Sequence, residues 1–284
     1  MRVSPAVLWL SLLLVPRAAT AQQTLCAPPK DSHEAQIFAA HSVPLAYAFI
    51  EATGPLAPGS VRIIIEGTYL PKVAEDIRTA TFCRPGKGPE NTDFLFAFPR
   101  PRVELGLPGQ FRLEASWIPP IRLDQVKSNL VGFSLGRGFP VGAHGAELTL
   151  RAHGTFGLVR APVTCDDDDL ADPVSECFLG TKSDDRYHPN IFGLEGIFAW
   201  ALGGGRVRPF IGGGANFLHP RFMVNFTNRF GNVDNTRIEV NLTRGALLGG
   251  ATWLAASGLG LTGEIYGVPG DAVTGRVALS YGLP

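Results

Sequence analysis

The chain has 284 residues but only two methionines and four cysteines, and its basic and acidic side chains balance at 25 each. A balanced charge without a basic cluster excludes a nucleic-acid interface, which needs a positive surface. The sequence has no phosphate-binding loop, zinc-ligand spacing or dinucleotide fingerprint, so we predict no cofactor. Few methionines beside 34 glycines indicate a protein of strands and turns rather than of helices.

Residues 1–21 have the three parts of a secretory signal peptide. Arg2 supplies a positive charge, residues 6–15 form an apolar segment, and small residues at positions 19–21 permit cleavage after Ala21. The segment is shorter than an ordinary membrane-spanning helix, although an uncleaved anchor is the alternative. We therefore predict Sec-type export, and in an exported chain four cysteines indicate disulfides rather than a metal site.

The next segment, residues 22–59, forms an N-terminal arm without strand-like alternation. Residues 34–51 are an apolar cluster interrupted by Pro44, and helix, plug and extra strand all stay open for it. The Gly- and Pro-rich stretch 54–59 then ends the arm. We expect the arm to be periplasmic or to plug the lumen of the domain that follows.

Residues 145–159 define that domain, because odd and even positions differ in chemistry. Leu148, Leu150 and Phe156 share one face of a strand, while Glu147 and Arg151 share the other. A strand that crosses a bilayer at a tilt needs about 9–11 residues, and this stretch is long enough.

The alternation recurs from residue 60 to the C-terminus and predicts ten strands. They are centred on residues 60–69, 102–105, 112–117, 131–136, 145–159, 192–200, 206–217, 237–243, 259–266 and 273–281. Their connections alternate between long and short along the chain, as extracellular loops and periplasmic turns do. The fold class is therefore all-β, an up-and-down antiparallel transmembrane β-barrel over residues 60–284.

In this architecture the chain resembles bacterial outer-membrane β-barrel proteins as a broad, porin-like class. The resemblance implies an outer-membrane location, contact with outer-membrane lipid and lipopolysaccharide, and assembly by the barrel-insertion machinery. The chain departs from the class at its end, where Pro284 replaces the usual terminal aromatic residue. Two other folds compete: a helix across the uncharged run 245–263, and a soluble secreted β-sandwich.

The inward face of the predicted barrel carries charges of both signs. The members of this predicted lumen network are Arg62, Glu66, Arg102, Glu104, Arg112, Glu114, Glu147, Arg151, Glu195, Arg208, Arg237, Glu239, Glu264 and Arg276. Since unpaired buried charges are costly, we expect them to pair across the lumen. Ten strands enclose an interior only somewhat wider than eight, so a packed network is favoured over a selective channel.

Two disulfides are predicted. Cys165 and Cys177 bracket one outer loop, which makes them natural partners. Elimination then pairs Cys26 with Cys83, and this requires the arm to thread through the lumen. Four cysteines allow three pairings, so the assignment stays open.

Candidate chemistry lies mainly in the loops. Asp166, Asp168 and Asp172 are calcium candidates, although a solvated acidic loop fits them better. Asp184, Asp185, His188 and His219 fall near the outer rim, where the ten-stranded omptin proteases place acidic and histidine residues. A lipid hydrolase using His153 or His144 is a related alternative.

From the sequence we predict a non-enzymatic outer-membrane barrel, structural or a small porin-like channel, with extracellular binding loops. A rim enzyme is the alternative, and the oligomeric state stays open.

Overall fold

The computed structural model describes residues 24–50, 54, 56–85, 87–142, 145–255 and 258–283. The predicted signal peptide and His144 therefore lie outside the described residues. These described residues form two α-helices, three 3₁₀ turns and seventeen strands, numbered in chain order. The helices are α1 (His33–Leu45) and α2 (Asp167–Ala171), and the 3₁₀ turns are Glu75–Ile77, Pro108–Gln110 and Gly203–Gly205.

Of these strands, ten form the barrel and seven short ones lie outside its ring. The barrel strands are β2 (Val61–Tyr69), β3 (Ala97–Leu107), β4 (Phe111–Ile118), β6 (Val126–Val141), β7 (Ala146–Ala161), β9 (Ile191–Ala199), β10 (Val207–Leu218), β15 (Leu242–Leu254), β16 (Leu259–Val268) and β17 (Ala272–Leu283). The short strands are β1 (Leu25–Cys26), β5 (Arg122–Leu123), β8 (Asp185–His188), β11 (Arg221–Met223), β12 (Phe226–Thr227), β13 (Val233–Asp234) and β14 (Arg237–Glu239).

The ten barrel strands are antiparallel to their neighbours and close into one ring. Each pairs with the next barrel strand along the chain, and β17 returns to β2 with Leu279 opposite Ile65. The closed ring confirms the predicted ten-stranded up-and-down barrel. The β-sandwich alternative is wrong, because the ten strands close into one ring and outer residues such as Ile65 and Leu150 stay exposed rather than packing against another sheet.

Side-chain exposure follows the predicted alternation. On β7, Leu150 is 50% exposed while Arg151 beside it is 4% exposed. The same contrast holds on β2, where Ile65 is 52% exposed and Glu66 is fully buried. Tyr69 and Trp117 end their strands at the long-loop end of the barrel with outward-facing, half-exposed rings. Such aromatic residues are enriched where a barrel meets the membrane–water interface.

The eighth barrel strand differs from the prediction. It is β15, whereas the predicted stretch 237–243 contains the short outer strand β14 and only the start of β15. Ile238 and Val240 are therefore buried under the outer loops instead of facing lipid. The helix alternative for residues 245–263 is also wrong, because β15 and β16 form a hairpin there. Within the described ranges, the helices are all too short or too polar to span a membrane.

A small sheet extends the barrel wall at the long-loop end. Strand β8 continues the edge of β7, and β11, β14 and β1 follow in order. The change of partner on β7 from β9 to β8 occurs at Gly157, whose φ of +133° suits glycine. The inner face of this extension contacts α1, where the Phe38 ring lies 5.9 Å from Tyr187 and 6.0 Å from Phe222. The extension and α1 together cover the outer mouth.

Candidate functional site: the filled lumen and the outer rim

The N-terminal arm lies inside the barrel. Ser32 caps α1 by accepting a hydrogen bond from the Ala35 N–H, and the helix ends at Leu45. The chain then runs on without regular structure, and Ala46, Tyr47 and Ala48 are completely buried. At the last residue of the arm, the Gly59 N–H donates to the Gly106 carbonyl at the short-turn end. The arm thus passes from the long-loop end to the short-turn end before β2 begins.

Arginines of the wall bind the carbonyl groups at the end of α1. Arg276 Nη2 lies 3.2 Å from the Val43 oxygen and 3.1 Å from the Ala46 oxygen. Arg100 donates to the Leu45 oxygen at 3.0 Å and to the Ala46 oxygen at 3.2 Å. The last carbonyls of a helix lack partners within it and carry partial negative charge, so cations are favoured there. These contacts fix the arm to the barrel wall.

The extended part of the arm contacts the wall on two sides. Arg102 Nη1 donates to the Ala48 oxygen at 3.0 Å, and its guanidinium lies 4.1 Å from the centre of the Tyr47 ring. Across the lumen the Phe49 ring meets Phe210 edge-on, with centroids 5.3 Å apart. One wall of the lumen is therefore ionic, and the opposite wall is an apolar core.

The buried charges of the lumen pair in two chains of alternating sign. The first chain is Arg62–Glu104 (2.6 Å), Glu104–Arg112 (3.9 Å) and Arg112–Glu147 (2.6 Å). The second is Glu264–Arg276 (3.1 Å), Arg276–Glu66 (3.9 Å), Glu66–Arg102, Arg102–Glu114 (3.4 Å), Glu114–Arg151 (3.8 Å) and Arg151–Glu195 (2.9 Å). Pairing offsets the desolvation cost that an isolated buried ion would carry.

Three members of the predicted network behave differently. Arg208 is buried at the short-turn end and donates to the Gly145 carbonyl at 3.1 Å. Arg237 and Glu239 do not belong to the lumen, because they lie on the outer strand β14 and pair with each other there. Their prediction as lumen residues is wrong, as is the predicted position of the eighth strand. Residues 237–241 alternate in chemistry, but they lie above the barrel.

Arg100, Tyr47 and the carbonyl groups of the arm are members of the lumen site that were not predicted from the sequence. Arg100 shares the parity of Arg102 on β3 and is 1% exposed, so extending the predicted strand by two residues would have found it. Nothing in the local sequence shows that the arm's backbone would serve as the partner.

Both cysteine pairs form disulfides. Cys165–Cys177 closes an outer loop, and Cys26–Cys83 joins the start of the arm to the loop between β2 and β3. Glu34 strengthens the second attachment by accepting from the Phe82 and Cys83 N–H groups at 2.9 and 2.7 Å. Burial raises the pKa of Glu34, but these N–H groups outweigh it and hold the pKa below its ordinary value. The arm is thus attached at its outer end as well as in the lumen.

The acidic loop has a structural role. Asp166 caps α2 by accepting from the Asp168 and Asp169 N–H groups, and it also accepts from the Asn91 amide at 2.6 Å. Asp172 accepts from the Val174 N–H, and Asp168 is exposed. Within the described ranges, the His, Cys, Asp and Glu side chains form no group of three able to hold a metal ion. The calcium hypothesis has no support in this geometry.

The predicted rim residues do not assemble into one site. Asp184 pairs with Arg160 at 3.2 Å, while Asp185 is buried and accepts from the Thr164 and Asn225 N–H groups. His188 Nδ1 lies 2.8 Å from the Gly157 oxygen, and His219 is exposed. Among the ion pairs of the described residues, none joins either of these histidines to a carboxylate. His153 lies elsewhere, fully buried in the lumen 3.3 Å from Glu195.

A row of basic side chains crosses the outer face just above the barrel. Lys127 stands opposite Arg122 on one side and Arg160 on the other, and Arg160 stands opposite Arg186. Residues paired in this way point to the same face of a sheet. Two positions below Lys127, Asn129 accepts from the indole of the half-exposed Trp117 at 3.0 Å. The basic row therefore lies at the level where the aromatic belt ends.

The closed ring of ten antiparallel strands, its apolar exterior and its ionic interior together define an outer-membrane β-barrel protein. No model of a protein family matches the chain, and no curated protein does either.

Among solved structures, the crystal structure of Ail, the attachment invasion locus protein of Yersinia pestis, aligns at 12% identity with a TM-score of 0.30. The alignment covers 80% of this chain and 99% of that one. The backbone structure of Ail in a phospholipid bilayer nanodisc aligns at 13% identity with a TM-score of 0.31, covering 79% of this chain and 99% of Ail. OccK8 (OprE) of Pseudomonas aeruginosa aligns at 10% identity with a TM-score of 0.17, over 81% of this chain and 99% of that one.

Proposed function

We propose that this protein is a plugged, non-conducting and non-enzymatic barrel that carries a disulfide-bonded outer cap. One observation carries the proposal: the arm fills the lumen, held by Arg100, Arg102 and Arg276 through carbonyl contacts of 3.0–3.2 Å. A small porin-like channel is therefore the less supported of the two candidate functions, because ions could pass only by displacing the arm. The rim enzyme is weaker still, since Asp184, Asp185 and His188 have other partners and no ion pair among the described residues joins His188 or His219 to a carboxylate.

Conductance across a planar bilayer tests the proposal. The wild-type barrel should show no stable open level, while a variant with Arg100→Ser and Arg276→Ser should open because the helix carbonyls lose their cations. The matched control is Arg122→Ser with Arg137→Ser, which removes two exposed arginines from the outer face. Migration on an unboiled detergent gel verifies that each barrel is closed. A steady open level in wild-type protein would refute the proposal.

We also propose export through the Sec route, cleavage after Ala21 and assembly by the barrel-insertion machinery. The disulfide at Cys26 supports exposure of the arm to an oxidising compartment. Intact mass and N-terminal sequencing of protein purified from outer membranes should show a chain that begins at Gln22. A chain that retains the first 21 residues would contradict the cleavage.

The outer-face basic row supports contact with lipopolysaccharide. Like charges directly opposite one another destabilise a sheet, so the row formed by Arg122, Lys127, Arg160 and Arg186 is stabilised by anions. Asp184 supplies one of these anions, at 3.2 Å from Arg160. The phosphates of lipopolysaccharide would supply others at the same level of the membrane.

Binding to lipopolysaccharide is testable with substitutions at the two ends of strand β6. Lys127→Gln should weaken retention of lipopolysaccharide by the purified barrel, whereas Arg137→Gln should not, because Arg137 lies near the opposite end. Retention should also fall with rising salt, as phosphate contacts by exposed cations do. Equal retention by both variants would exclude the basic row as the contact.

A further inference from the structure

An apolar cavity of about 330 Å³ lies between α1 and the upper barrel wall. Phe98, Ile118 and Leu130 form its wall on β3, β4 and β6, and they are 8%, 7% and 2% exposed. Phe38 of α1 lines the opposite side. Ligand sites in proteins are concave, mostly apolar and about 300–1,000 Å³ in volume. The cavity therefore has the size and chemistry of a small-molecule site.

The cavity opens beside the outer end of the barrel. Phe96 belongs to its lining and is 81% exposed, so this ring stands at the mouth. Val126, another lining residue, pairs with Leu123 in the hairpin that follows β4, and Leu123 is 38% exposed. The mouth is thus edged with apolar side chains near the outer membrane surface, which suits the entry of an apolar molecule.

The charged groups that line the cavity already have partners within the protein. Asp93 pairs with Arg78 at 3.2 Å and with Lys72 at 3.4 Å, and Glu90 pairs with Lys87. Glu34 and Asp185, also in the lining, accept hydrogen bonds from backbone N–H groups. A ligand with a net charge of either sign would find no unpaired partner among these groups, and its desolvation would not be offset.

Neutral polar side chains also belong to the described lining of the cavity. The side chains of His41 and Ser128 line the cavity, and neither makes a hydrogen bond to a described residue. Burial lowers the pKa of His41 to about 4, although the Asp93 carboxylate opposes the shift, so its imidazole is neutral near pH 7. A neutral imidazole and a hydroxyl can each donate or accept one hydrogen bond.

We propose that this cavity binds a neutral amphiphile: an aliphatic chain or compact ring system with one hydroxyl or carbonyl group placed near His41 and Ser128. An apolar cavity of about 150 Å³ holds benzene, so this one accommodates roughly a dozen non-hydrogen atoms. The proposal is independent of whether the lumen conducts, because the cavity lies above the arginine contacts of the arm.

Photo-crosslinking of the intact protein in lipid nanodiscs tests the proposal. The reagent is an aliphatic diazirine alcohol of about ten carbons, sized to the cavity, and labelled residues are located by mass spectrometry. Inward-facing residues such as Leu130 should be labelled in addition to lipid-facing residues such as Val131. Unlabelled diazirine-free alcohol should compete for the inward sites at lower concentration than for the outward ones.

Substitutions on one strand separate the cavity from the surrounding lipid. Val126→Trp, which fills the cavity, should reduce inward labelling at least tenfold and leave outward labelling unchanged. Val131→Trp places the same side chain on the lipid face of β6 and should leave inward labelling intact. Val159→Trp serves as a second cavity-filling variant if the first does not fold. The proposal would be overturned if inward residues were not labelled in the wild type, or if neither Val126→Trp nor Val159→Trp reduced their labelling.

The head group is tested separately. His41→Phe should lower the preference for the alcohol over an alkane of equal length about fivefold, the ratio expected for one neutral hydrogen bond. Carboxylate and amine analogues of the diazirine reagent should label the inward residues less than the alcohol does. Equal inward labelling by a charged analogue would show that the neutral head group is wrongly assigned.

Discussion

The Arg276–Glu264 pair offers the sharpest test of how the arm and the barrel stabilise one another. Both side chains are completely buried, and Arg276 Nη1 lies 3.1 Å from Glu264 Oε1. The other terminal nitrogen of the same guanidinium binds the Val43 and Ala46 carbonyls of the arm. Replacement of Arg276 therefore removes its ion pairs with Glu264 and Glu66 and both arm contacts at once.

The magnitude follows from these contacts. Arg276→Met leaves Glu264 buried without its cation, and breaking a buried pair in this way costs about 3–5 kcal/mol. Glu264→Gln should cost less, because Arg276 keeps its carbonyl partners and Glu66 at 3.9 Å. The double variant has no unpaired carboxylate at position 264. Its loss of unfolding free energy should therefore be smaller than the sum of the two single losses by about 0.5–3 kcal/mol.

Urea unfolding of the barrel in lipid vesicles, followed by tryptophan fluorescence, measures these costs. The control is Arg137→Met on the outer face, where the guanidinium lies 5.0 Å from the Phe139 ring and 5.2 Å from the Phe111 ring. An exposed cation–π contact contributes about 0.5–1 kcal/mol, so this variant should stay close to wild type. Strict additivity of the pair, or an Arg276→Met cost no larger than that of the control, would refute the reasoning.

Three further predictions concern the arm, a histidine and a glycine. Replacing Cys26 and Cys83 with serine opens a link across 57 residues and should lower the unfolding free energy by about 4 kcal/mol in the same assay. Because burial lowers the pKa of His41 to about 4, the unfolded chain takes up its proton first as the pH falls. Stability should drop between about pH 6.5 and pH 4 in wild type and drop less in His41→Gln. At Gly157 an added Cβ would lie 2.1 Å from the Asn129 oxygen, whereas at Gly263 nothing lies within 4 Å. Gly157→Ala should cost more than about 1 kcal/mol and Gly263→Ala almost nothing. Equal costs would contradict the requirement for glycine where β7 changes partner.

Nine of the ten barrel strands could be located from parity, because lipid outside and ions inside impose opposite chemistry on alternate residues. Parity did not locate strand β15. Its inward residues Ala246 and Leu248 are apolar, since the wall there packs against other apolar groups of the core rather than against ions. Beyond Arg244 at its outer end, β15 has no inward charge and resembles a hydrophobic run. The alternating stretch of residues 237–241 nearby was therefore predicted as the strand instead.

The position of the arm could not be read from local pattern for a related reason. A strand between lipid and the lumen alternates between apolar and charged residues. A helix that is buried on every side has no polar face, so its sequence lacks the periodic pattern by which a helix is recognised. Nine of the thirteen residues of α1 are buried, from Glu34 to Pro44, and they lie around the whole helix. Only the cysteines carried long-range information, because a pair between Cys26 and Cys83 requires the arm to cross the lumen.

The arm also explains how so many charges can be buried in so narrow a barrel. Ten strands enclose slightly more space than their own side chains fill, and a wall of paired ions alone would leave guanidinium groups short of acceptors. The carbonyls of Val43, Leu45, Ala46 and Ala48 supply those acceptors at 3.0–3.2 Å. Phe49 at the same time gives the uncharged wall at Phe210 an apolar partner. Because each wall depends on the arm for a different interaction, loss of the arm should disturb both sides of the lumen together.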